Sequence, residues 1–337
     1  MKKKIGKQSI ALQEEVYIAG SASVVGPKEG DGPFGTNFDV VGEDEKFGAS
    51  SWESAECMIQ QKVVNTLLDK TCWKAEDIRY TFAGDLLAQS TASAFGTGTL
   101  QRPFFGLFGA CSTIGEGISL GSMAVAGGFA DAVMAVTSSH FGSAEKEFRF
   151  PLEYGNQRPL CASWTVTGGG GVLLTNKKSA VQVTGITTGI IVDYGLKDSQ
   201  NMGACMAPAA ADTIYANLMD LGRKPEDYDR IITGDLGEVG RTILLDLLKQ
   251  KGFSCQSVHE DCGMLIFDPN VQDTHAGGSG CGCAASMLSA YVMPKLITGE
   301  WKRVLFVPTG ALLSRVSFAE GRSIPGIAHG VVLEHVL

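Results

Sequence analysis

The amino-acid sequence predicts an α/β fold built from two copies of one β/α unit. Strand-like runs alternate with helical segments along the 337 residues, a pattern typical of parallel or mixed sheets covered by helices. Residues 74–86 recur as residues 224–236, and residues 171–175 recur as residues 330–334. The two matches keep their order but differ in offset, 150 residues against 159. This indicates a duplication with different loop insertions rather than a short repeat.

The first elements of the copies follow from local patterns. Residues 15–25 (EVYIAGSASVV) predict a buried strand, and residues 52–68 predict a helix opened by one of the serines just before it. The Gly-, Pro- and Asp-rich segment between them predicts a surface loop. A helix, an acidic turn, a strand and the tripeptide Gly-Asp-Leu then follow in both copies. The copies are predicted to occupy residues 1–178 and 179–337.

Cys111 lies at the centre of the most informative stretch, between a glycine-rich turn and a helix. The helix is predicted to be mostly buried and to end at a Gly-Gly pair, and residues 132–137 after it predict a buried strand. Residues 278–297 match this helix in the second copy. A helix N-terminus offers unpaired N–H groups, so we expect the thiolate to be favoured and the position to suit nucleophilic attack or anion binding. The alternative is a small cysteine buried in the core.

Composition excludes several classes of protein. A net charge of −8 argues against general nucleic-acid binding, which needs clustered Lys and Arg. The basic start MKKKIGK is followed by no apolar core, and no run of 18 uncharged apolar residues occurs, so we expect neither a signal peptide nor a membrane-spanning segment. Nine scattered cysteines favour a reducing compartment. Cys281 and Cys283 are too close for a usual zinc site, so no structural zinc is expected. We also expect no other metal and no cofactor.

Several features together resemble the thiolase and ketoacyl-synthase superfamily. They are the two copies, the cysteine at a helix start, the Gly-rich strand at residues 167–174 and the Gly-Ser-Gly-rich helix start at residues 277–283. The resemblance covers essentially the whole chain. It implies a five-layer αβαβα sandwich in which the nucleophilic cysteine opens a buried helix of the first half. The second half is expected to supply histidine or asparagine for proton transfer and oxyanion binding.

Within this superfamily the sequence is similar to the stage V sporulation protein AD family, through GACSTIGEG, QRPLCASWTVTGGGGVLL, ITGDLG and HAGGSGCGCAAS. The resemblance implies a protein that binds dipicolinic acid (pyridine-2,6-dicarboxylate) or its calcium chelate and helps to load it into the developing spore. The resemblance implies no established catalytic activity. Other stage V sporulation A proteins at the membrane are the expected partners, and the expected location is the forespore or spore, at the periphery of the inner membrane.

The sequence departs from the enzymes where catalysis needs a base. Enzymes similar to ketoacyl synthase III carry a histidine and then an asparagine after the strand that corresponds to residues 230–233, whereas this chain has Gly234, Asp235 and Leu236. The Gly-His-Pro segment of thiolases is also missing. We therefore expect a non-catalytic binding protein. The alternative is an active condensing or acyl-transfer enzyme that uses a Cys111 thioester, and a third interpretation is an assembly scaffold with a vestigial pocket.

A pocket for a planar dicarboxylate needs donors at both ends and an apolar or aromatic wall between them. The two helix starts, at Cys111 and at residues 280–283, could supply backbone donors, and loop arginines could form a bidentate clamp. His275 is the histidine best placed to reach the pocket, and Asp235 is expected to be a poor base and a structural or Ca²⁺-facing carboxylate. The candidate ligand-binding residues are Cys111, Arg149, Arg158, Asp235, His275, Ser279 and Cys281.

The resemblance also implies a homodimer formed through the first half, around residues 132–138. The alternative is that this apolar run is a central strand of a monomer. The lysines between residues 2 and 7 are expected to give only weak, salt-sensitive attachment to an anionic membrane surface.

Overall fold

Strand pairing in the computed structural model follows the expected duplication. The structure describes residues 4–12, 14–148 and 157–337, and of Phe148 only the backbone. The candidate residue Arg149 and the first two lysines of the basic cluster, Lys2 and Lys3, lie outside the described residues.

The chain forms seventeen described strands and eleven described α-helices, besides shorter 3₁₀ turns. The strands are β1 (Lys4–Ile5), β2 (Ser9–Ala11), β3 (Tyr17–Val25), β4 (Val40–Val41), β5 (Tyr80–Gly84), β6 (Phe104–Gly106), β7 (Ala132–Ser139), β8 (Trp164–Thr165), β9 (Gly168–Thr175), β10 (Val181–Thr187), β11 (Arg230–Thr233), β12 (His259–Asp261), β13 (Gly278–Ser279), β14 (Arg303–Val307), β15 (Thr309–Ala311), β16 (Gly326–Ala328) and β17 (Gly330–His335). The helices are α1 (Pro27–Gly30), α2 (Trp52–Thr71), α3 (Thr91–Thr97), α4 (Thr113–Ala126), α5 (Phe141–Phe148), α6 (Met202–Leu221), α7 (Gly237–Gln250), α8 (Cys262–Leu265), α9 (Cys281–Met287), α10 (Met293–Ile297) and α11 (Arg315–Ala319).

The two halves of the chain form sheets of one topology. The first has the order β6-β5-β7-β9-β3, and the second has the order β12-β11-β14-β17-β10. In the first, β5, β6 and β7 are parallel and β9 runs antiparallel to β7 and β3; in the second, β11, β12 and β14 are parallel and β17 runs antiparallel to β14 and β10. The sheets are joined where β3 pairs with β10. The limits at residues 178 and 179 lie between β9 and β10 and stay a prediction.

Apolar side chains arrange these elements in five layers. Between the sheets lie α4 and the continuous run from α9 to α10, and their buried residues, such as Ile114 and Met287, share one core with Leu174 of the first sheet and Leu333 of the second. Helix α2 covers the outer face of the first sheet, and α6 and α7 cover the outer face of the second. Each sheet is therefore buried on both faces, which explains its apolar strands.

Several local predictions are confirmed. The predicted strand at residues 15–25 is β3, and the predicted helix at residues 52–68 is α2, whose N-cap Ser51 accepts a hydrogen bond from the Ser54 N–H at 3.1 Å. The segment predicted as a surface loop is only partly exposed. It contains α1, and Glu29 on that helix is buried.

The strand expected at the dimer contact has no free edge. All residues of β7 are buried, and β5 and β9 pair with it along its two sides. A second chain therefore cannot extend the sheet at residues 132–138, so the expected position of the contact is wrong. In the described part of the chain the sheet ends at β6, where Phe104 and Phe105 are exposed. The homodimer itself stays a prediction.

The glycine-rich segment of β9 lets α9 lie directly on the strand backbone. A Cβ atom on Gly170 would lie 2.3 Å from the carbonyl oxygen of Ala285 in α9, closer than any real contact. This approach sets the position of the N-terminus of α9, which faces Cys111 across the centre of the molecule.

We expect Gly170→Ala to destabilise the fold by about 1–3 kcal/mol, because backbone atoms of α9 must move to make room. Urea unfolding of the wild type and the variant measures the difference. Gly98→Ala is the control, since a Cβ there has no heavy atom within 4 Å. Equal unfolding midpoints for the two variants would contradict the direct contact between α9 and β9.

Candidate functional site

Cys111 lies in a tight turn immediately before α4. The turn, Ala110–Ser112, is 3₁₀-helical, and Ala110 has φ of +49°, which is uncommon for a residue other than glycine. Two hydroxyls hold this conformation: Ser112 Oγ donates to Gly109 O at 2.6 Å, and Thr113 Oγ1 donates to Ala110 O at 2.6 Å. The side chain of Cys111 is buried, with an exposed fraction of 5%. The sequence therefore places the cysteine at a helix start, as predicted.

Cys111 faces a narrow crevice with a volume of about 30 Å³. This volume holds about two water molecules, whereas small-molecule sites usually measure about 300–1,000 Å³. Apolar side chains, Leu86, Phe108, Met202 and Leu313 among them, form much of its wall. Its polar lining residues are Cys111, Glu145, Ser163, Thr165, Ser199 and Ser279.

Asp235 lies directly behind this lining and is fully enclosed. Its Oδ2 accepts hydrogen bonds from Gly280 N at 2.9 Å and Ser279 Oγ at 3.1 Å, and its Oδ1 accepts one from Thr309 Oγ1 at 2.8 Å. The thiol of Cys111 lies beside this carboxyl group and also favours its ionised form. Burial raises the pKa of Asp235 to about 6, although these donors oppose the rise.

The thiolate expected at Cys111 is not favoured. Burial raises the pKa of the Cys111 thiol well above its usual value, and the negative charge of Asp235 raises it further. The backbone N–H of Gly280 acts in the opposite direction, but its effect is smaller. The helix N-terminus is present, as the sequence predicted, but in this enclosed position it does not overcome desolvation and the neighbouring carboxyl group.

Four of the candidate residues come together here. Cys281 opens α9, and its thiol donates to Ala110 O at 3.0 Å, so it lies against the turn that carries Cys111. Ser279 is on β13, which pairs with β8. With Asp235 these residues surround Cys111 from the second half of the chain, as the sequence suggested. Their role in ligand binding stays a prediction.

Two other candidates lie elsewhere. His275 is held in a loop, where Nδ1–H donates to Pro159 O at 2.9 Å and Nε2 lies 3.0 Å from Asp273 Oδ1. Arg158 pairs with the same carboxylate, at 2.7 Å from Nη2 to Oδ2, and its guanidinium carbon lies 4.8 Å from the ring centroid of Trp164. Neither residue lines the crevice. Arg149 lies outside the described residues.

Glu145 and Thr309 belong to the site but were not predicted from the sequence. Glu145 is buried on α5, lines the crevice and accepts a hydrogen bond from Thr165 Oγ1 at 3.0 Å. No sequence pattern distinguishes it from the other acids of its segment. Thr309 had a usable signal, because it follows β14 just as Asp235 follows the parallel neighbour β11. Parallel strands bring their carboxyl ends to the same edge of a sheet.

A second acidic cluster is buried near Cys281. Glu56 on α2 accepts hydrogen bonds from Ser138 Oγ at 3.0 Å and Ser143 Oγ at 2.6 Å. Asp85, the equivalent of Asp235 in the first copy, accepts from Ser93 N at 2.7 Å. Burial, followed by the charge of Asp85, raises the pKa of Glu56 far above its usual value.

With this geometry defined, comparisons with known proteins identify the family. A profile for stage V sporulation protein AD (SpoVAD) matches residues 6–334. Stage V sporulation protein AD of Bacillus subtilis (strain 168) is 43% identical over 329 residues, which cover 98% of this chain and 97% of the relative. The chain belongs to the stage V sporulation protein AD family. This relationship supports a role in sporulation.

Solved structures of condensing enzymes share the fold. A histidine-to-asparagine variant of Xanthomonas campestris OleA aligns with a TM-score of 0.62 at 13% identity, over 96% of this chain and 99% of its own. AbyA1, a tetronic acid condensing enzyme, aligns with a TM-score of 0.57 at 14% identity, over 95% of this chain and 99% of its own. At identities this low the structural alignments show a shared fold and nothing about activity. They confirm the predicted thiolase-like sandwich.

Neither a membrane-spanning helix nor a metal cluster is found in the described part of the chain. Among the helices of residues 4–12, 14–148 and 157–337, none combines the length and the apolar character that crossing a bilayer requires. Over the same residues, no group of three or more His, Cys, Asp or Glu side chains is arranged to hold a metal ion.

The state of Cys111 predicts low reactivity in this family member. We expect iodoacetamide at pH 7.5 to alkylate the exposed Cys72 while leaving Cys111 unmodified, because the latter is buried and remains a thiol. Peptide mass spectrometry after a time course measures both. Alkylation of Cys111 as fast as that of Cys72 would show an accessible thiolate and contradict this account.

The buried acid on α2 predicts a pH-dependent stability. Because the folded pKa of Glu56 is raised, the native state binds this proton more tightly than the unfolded chain does. Its contribution is fully present below the usual glutamate pKa and is lost as the pH rises through the folded value. We therefore expect the Tm of Glu56→Gln to fall less than the Tm of the wild type when the pH is raised from 5 to 9.

Glu53→Gln is the matched control for this measurement. Glu53 is on the same helix, but its ion pair with Lys146, at 2.8 Å, lowers its pKa instead. Differential scanning calorimetry across the pH range compares the three proteins. If Glu56→Gln loses as much Tm as the wild type and Glu53→Gln do, the buried acid does not carry the effect.

Proposed function

We propose that this chain is a non-catalytic protein that binds dipicolinate, as the free acid or its calcium chelate, for loading into the developing spore. The main support for the proposal is the neighbour of Cys111. The buried carboxyl group of Asp235 lies where an enzyme of this fold needs an imidazole. Membership of the family supports the setting in sporulation. The work is proposed to take place at the periphery of the inner forespore membrane, together with other stage V sporulation A proteins.

The site chemistry argues against a thioester enzyme. Acyl transfer to a cysteine needs a thiolate and a base able to remove the thiol proton. Asp235, with a pKa of about 6, is far too weak a base for a thiol whose own pKa is raised well above normal. Among the described residues that line the crevice, none is a histidine.

The charges around the crevice bear on the form of the ligand. Glu145 lines the crevice, and Asp235 is enclosed behind Cys111 and Ser279, so the negative charge of two carboxyl groups acts on an incoming acid. A dipicolinate dianion is disfavoured there while Asp235 is ionised. The calcium chelate carries a cation with open coordination positions, for which carboxylate oxygens are preferred ligands. We therefore expect the chelate to bind at neutral pH, and the free acid to bind better as the pH falls through about 6.

The size of the crevice requires movement at its mouth. A groove of about 490 Å³ continues outwards and shares Leu86, Phe108 and Leu313 with the crevice. Phe108 is half exposed, so its ring is able to change rotamer without unpacking the core. This arrangement supports a pose with one carboxylate towards Cys111 and the pyridine ring against Phe108.

Two substitutions at Cys111 test the proposal. We expect Cys111→Ser to keep most of the affinity for dipicolinate, because it preserves size and polarity. Cys111→Trp should abolish binding by filling the crevice. Isothermal titration calorimetry with dipicolinate, its calcium chelate and acetyl coenzyme A measures these affinities, and Cys72→Trp, at an exposed cysteine, is the matched control.

Intact-protein mass spectrometry tests the alternative, an acyl-transfer enzyme. An active enzyme would form an acyl adduct on Cys111 when incubated with acetyl or longer-chain coenzyme A, and Cys111→Ser would prevent it. A stable adduct in the wild type alone would replace this proposal with the condensing or acyl-transfer alternative. If Cys111→Trp binds dipicolinate as well as the wild type does, the crevice is not the binding site.

A further inference from the structure

A second cavity, of about 300 Å³, lies on the other side of β8 from the crevice. We call it the indole pocket and define it by Lys28, Glu29, Trp52, Phe141, Gly142 and Trp164. Its volume falls at the lower end of the range of about 300–1,000 Å³ that is usual for small-molecule sites.

The indole pocket is separate from the crevice, although one strand contributes to both. Trp164 lines the indole pocket, and the next residue, Thr165, lines the crevice. Successive side chains of a strand point to opposite faces, so β8 forms a wall between the two cavities. A ligand in one cavity therefore does not occupy the other.

Flat apolar surfaces form the walls of the indole pocket. The rings of Phe141 and Trp164 stack, with centroids 4.0 Å apart and planes 13° apart. Gly142 lies against the other indole, because a Cβ on it would be 2.7 Å from the ring of Trp52. Packing of this kind fixes the ring orientations and suits a planar ligand.

Each indole already carries a cation. Lys28 Nζ lies 4.3 Å from the ring centroid of Trp164, and Lys46 Nζ lies 5.0 Å from that of Trp52. The guanidinium of Arg158, which pairs with Asp273, also lies 4.8 Å from the Trp164 centroid. In the described part of the chain neither ammonium group forms an ion pair with a carboxylate. A further cation is disfavoured beside these positive charges, whereas a carboxylate gains a charged donor.

Glu29 provides a buried polar group with an unused atom. Its exposed fraction is 1%; Oε1 accepts a hydrogen bond from Thr167 N at 2.9 Å, and Oε2 has no partner. Burial raises its pKa to about 7, against the opposing effects of the Thr167 N–H and the charge of Lys28. In its protonated form Oε2 is a donor, which a carboxylate ligand would satisfy.

The other titratable groups at this position are Glu45 and His140. Glu45 is exposed, and its charge raises the pKa of Glu29 slightly. Burial lowers the pKa of His140, so its ring is neutral; Nε2–H donates to Glu45 O at 2.6 Å, and Nδ1 accepts from Gly142 N at 3.0 Å. Lys28 is therefore the charged donor of the pocket lining.

We propose that the indole pocket binds a planar aromatic carboxylate, with its ring among the aromatic side chains of the lining and its carboxylate between Lys28 and Glu29. This site is a separate cavity from the dipicolinate site proposed in the crevice. The ligand is defined by its chemistry: a flat ring and a single anionic group.

Benzoate and benzylamine are the probes that test this site, because they share a ring and have opposite charges. We expect isothermal titration calorimetry at pH 6 to show saturable 1:1 binding of benzoate and none of benzylamine. Lys28→Met should weaken benzoate binding about tenfold or more, because one charged donor is lost. Absence of benzoate binding to the wild type, or tighter binding of benzylamine, would overturn the proposal.

Lys177→Met is the matched control. Lys177 Nζ lies 4.4 Å from the ring centroid of Trp73, outside the pocket, so this variant removes the same kind of contact elsewhere. We expect it to bind benzoate as the wild type does. An equal loss in both lysine variants would show a general effect of charge and sink the assignment.

Glu29→Gln reports on the site through its pH dependence. The wild type should bind benzoate more weakly at pH 8 than at pH 6, because ionised Glu29 repels the carboxylate. The variant keeps an oxygen for the Thr167 N–H and an uncharged donor, so its affinity should not change with pH. The same pH dependence in both proteins would overturn the role of Glu29. This test does not need Lys28→Met, so it stays decisive if that variant does not fold.

Cys111→Trp separates this site from the crevice. If this variant loses dipicolinate but keeps benzoate, both proposals stand. If it loses benzoate while Lys28→Met keeps it, the indole pocket is not the aromatic carboxylate site and the crevice remains. If dipicolinate binding survives in Cys111→Trp but not in Lys28→Met, the crevice proposal fails and the indole pocket stands.

Discussion

The buried carboxyl group of Asp235 ties together the segments that form the centre of this molecule. It follows β11, accepts hydrogen bonds from Ser279 and Gly280 just before α9 and from Thr309 after β14, and lies beside the thiol of Cys111. An enclosed carboxyl group is costly unless several donors satisfy it. The need for those donors therefore holds the start of α9 and the segment after β14 together beside Cys111, and the same carboxyl group adds to the burial that keeps Cys111 a thiol.

Duplication explains why an acid was available at this position. Asp85 and Asp235 occupy equivalent places after β5 and β11, and each accepts backbone N–H groups from the segment that follows or packs on its strand. In the first half Asp85 belongs to a buried polar cluster with Glu56 and does not itself line the crevice. In the second half the equivalent acid meets the cysteine of the other copy. One structural motif thus has a packing role in one half and sets the chemistry of the site in the other.

Local sequence patterns predicted the elements of the fold but not the properties of the site. The strand at residues 132–137 and the serine cap of α2 depend on neighbours in the chain, so the sequence alone was enough for them. The pKa of Cys111 depends on enclosure by residues of the other half, and a helix N-terminus seen in the sequence carries no measure of that burial. His275 and Arg158 lie in loops, where an acid nearby in space, Asp273, decides their direction. Asp273 is two residues before His275 in the chain, but no local pattern shows that Arg158, 115 residues away, pairs with the same carboxylate.

The two cavities share a wall that is too short to be rigid on its own. Strand β8 has only two residues, and its ladder partner is β13, with Trp164 opposite Gly278 and Thr165 opposite Ser279. Ser279 in turn donates to Asp235, and Thr165 donates to Glu145. A shift of the Trp164 indole would therefore move the hydroxyls that hold both acids of the crevice. Because a close-packed interior transmits small displacements, the shape of the crevice depends on the packing of the aromatic side chains on the far side of β8.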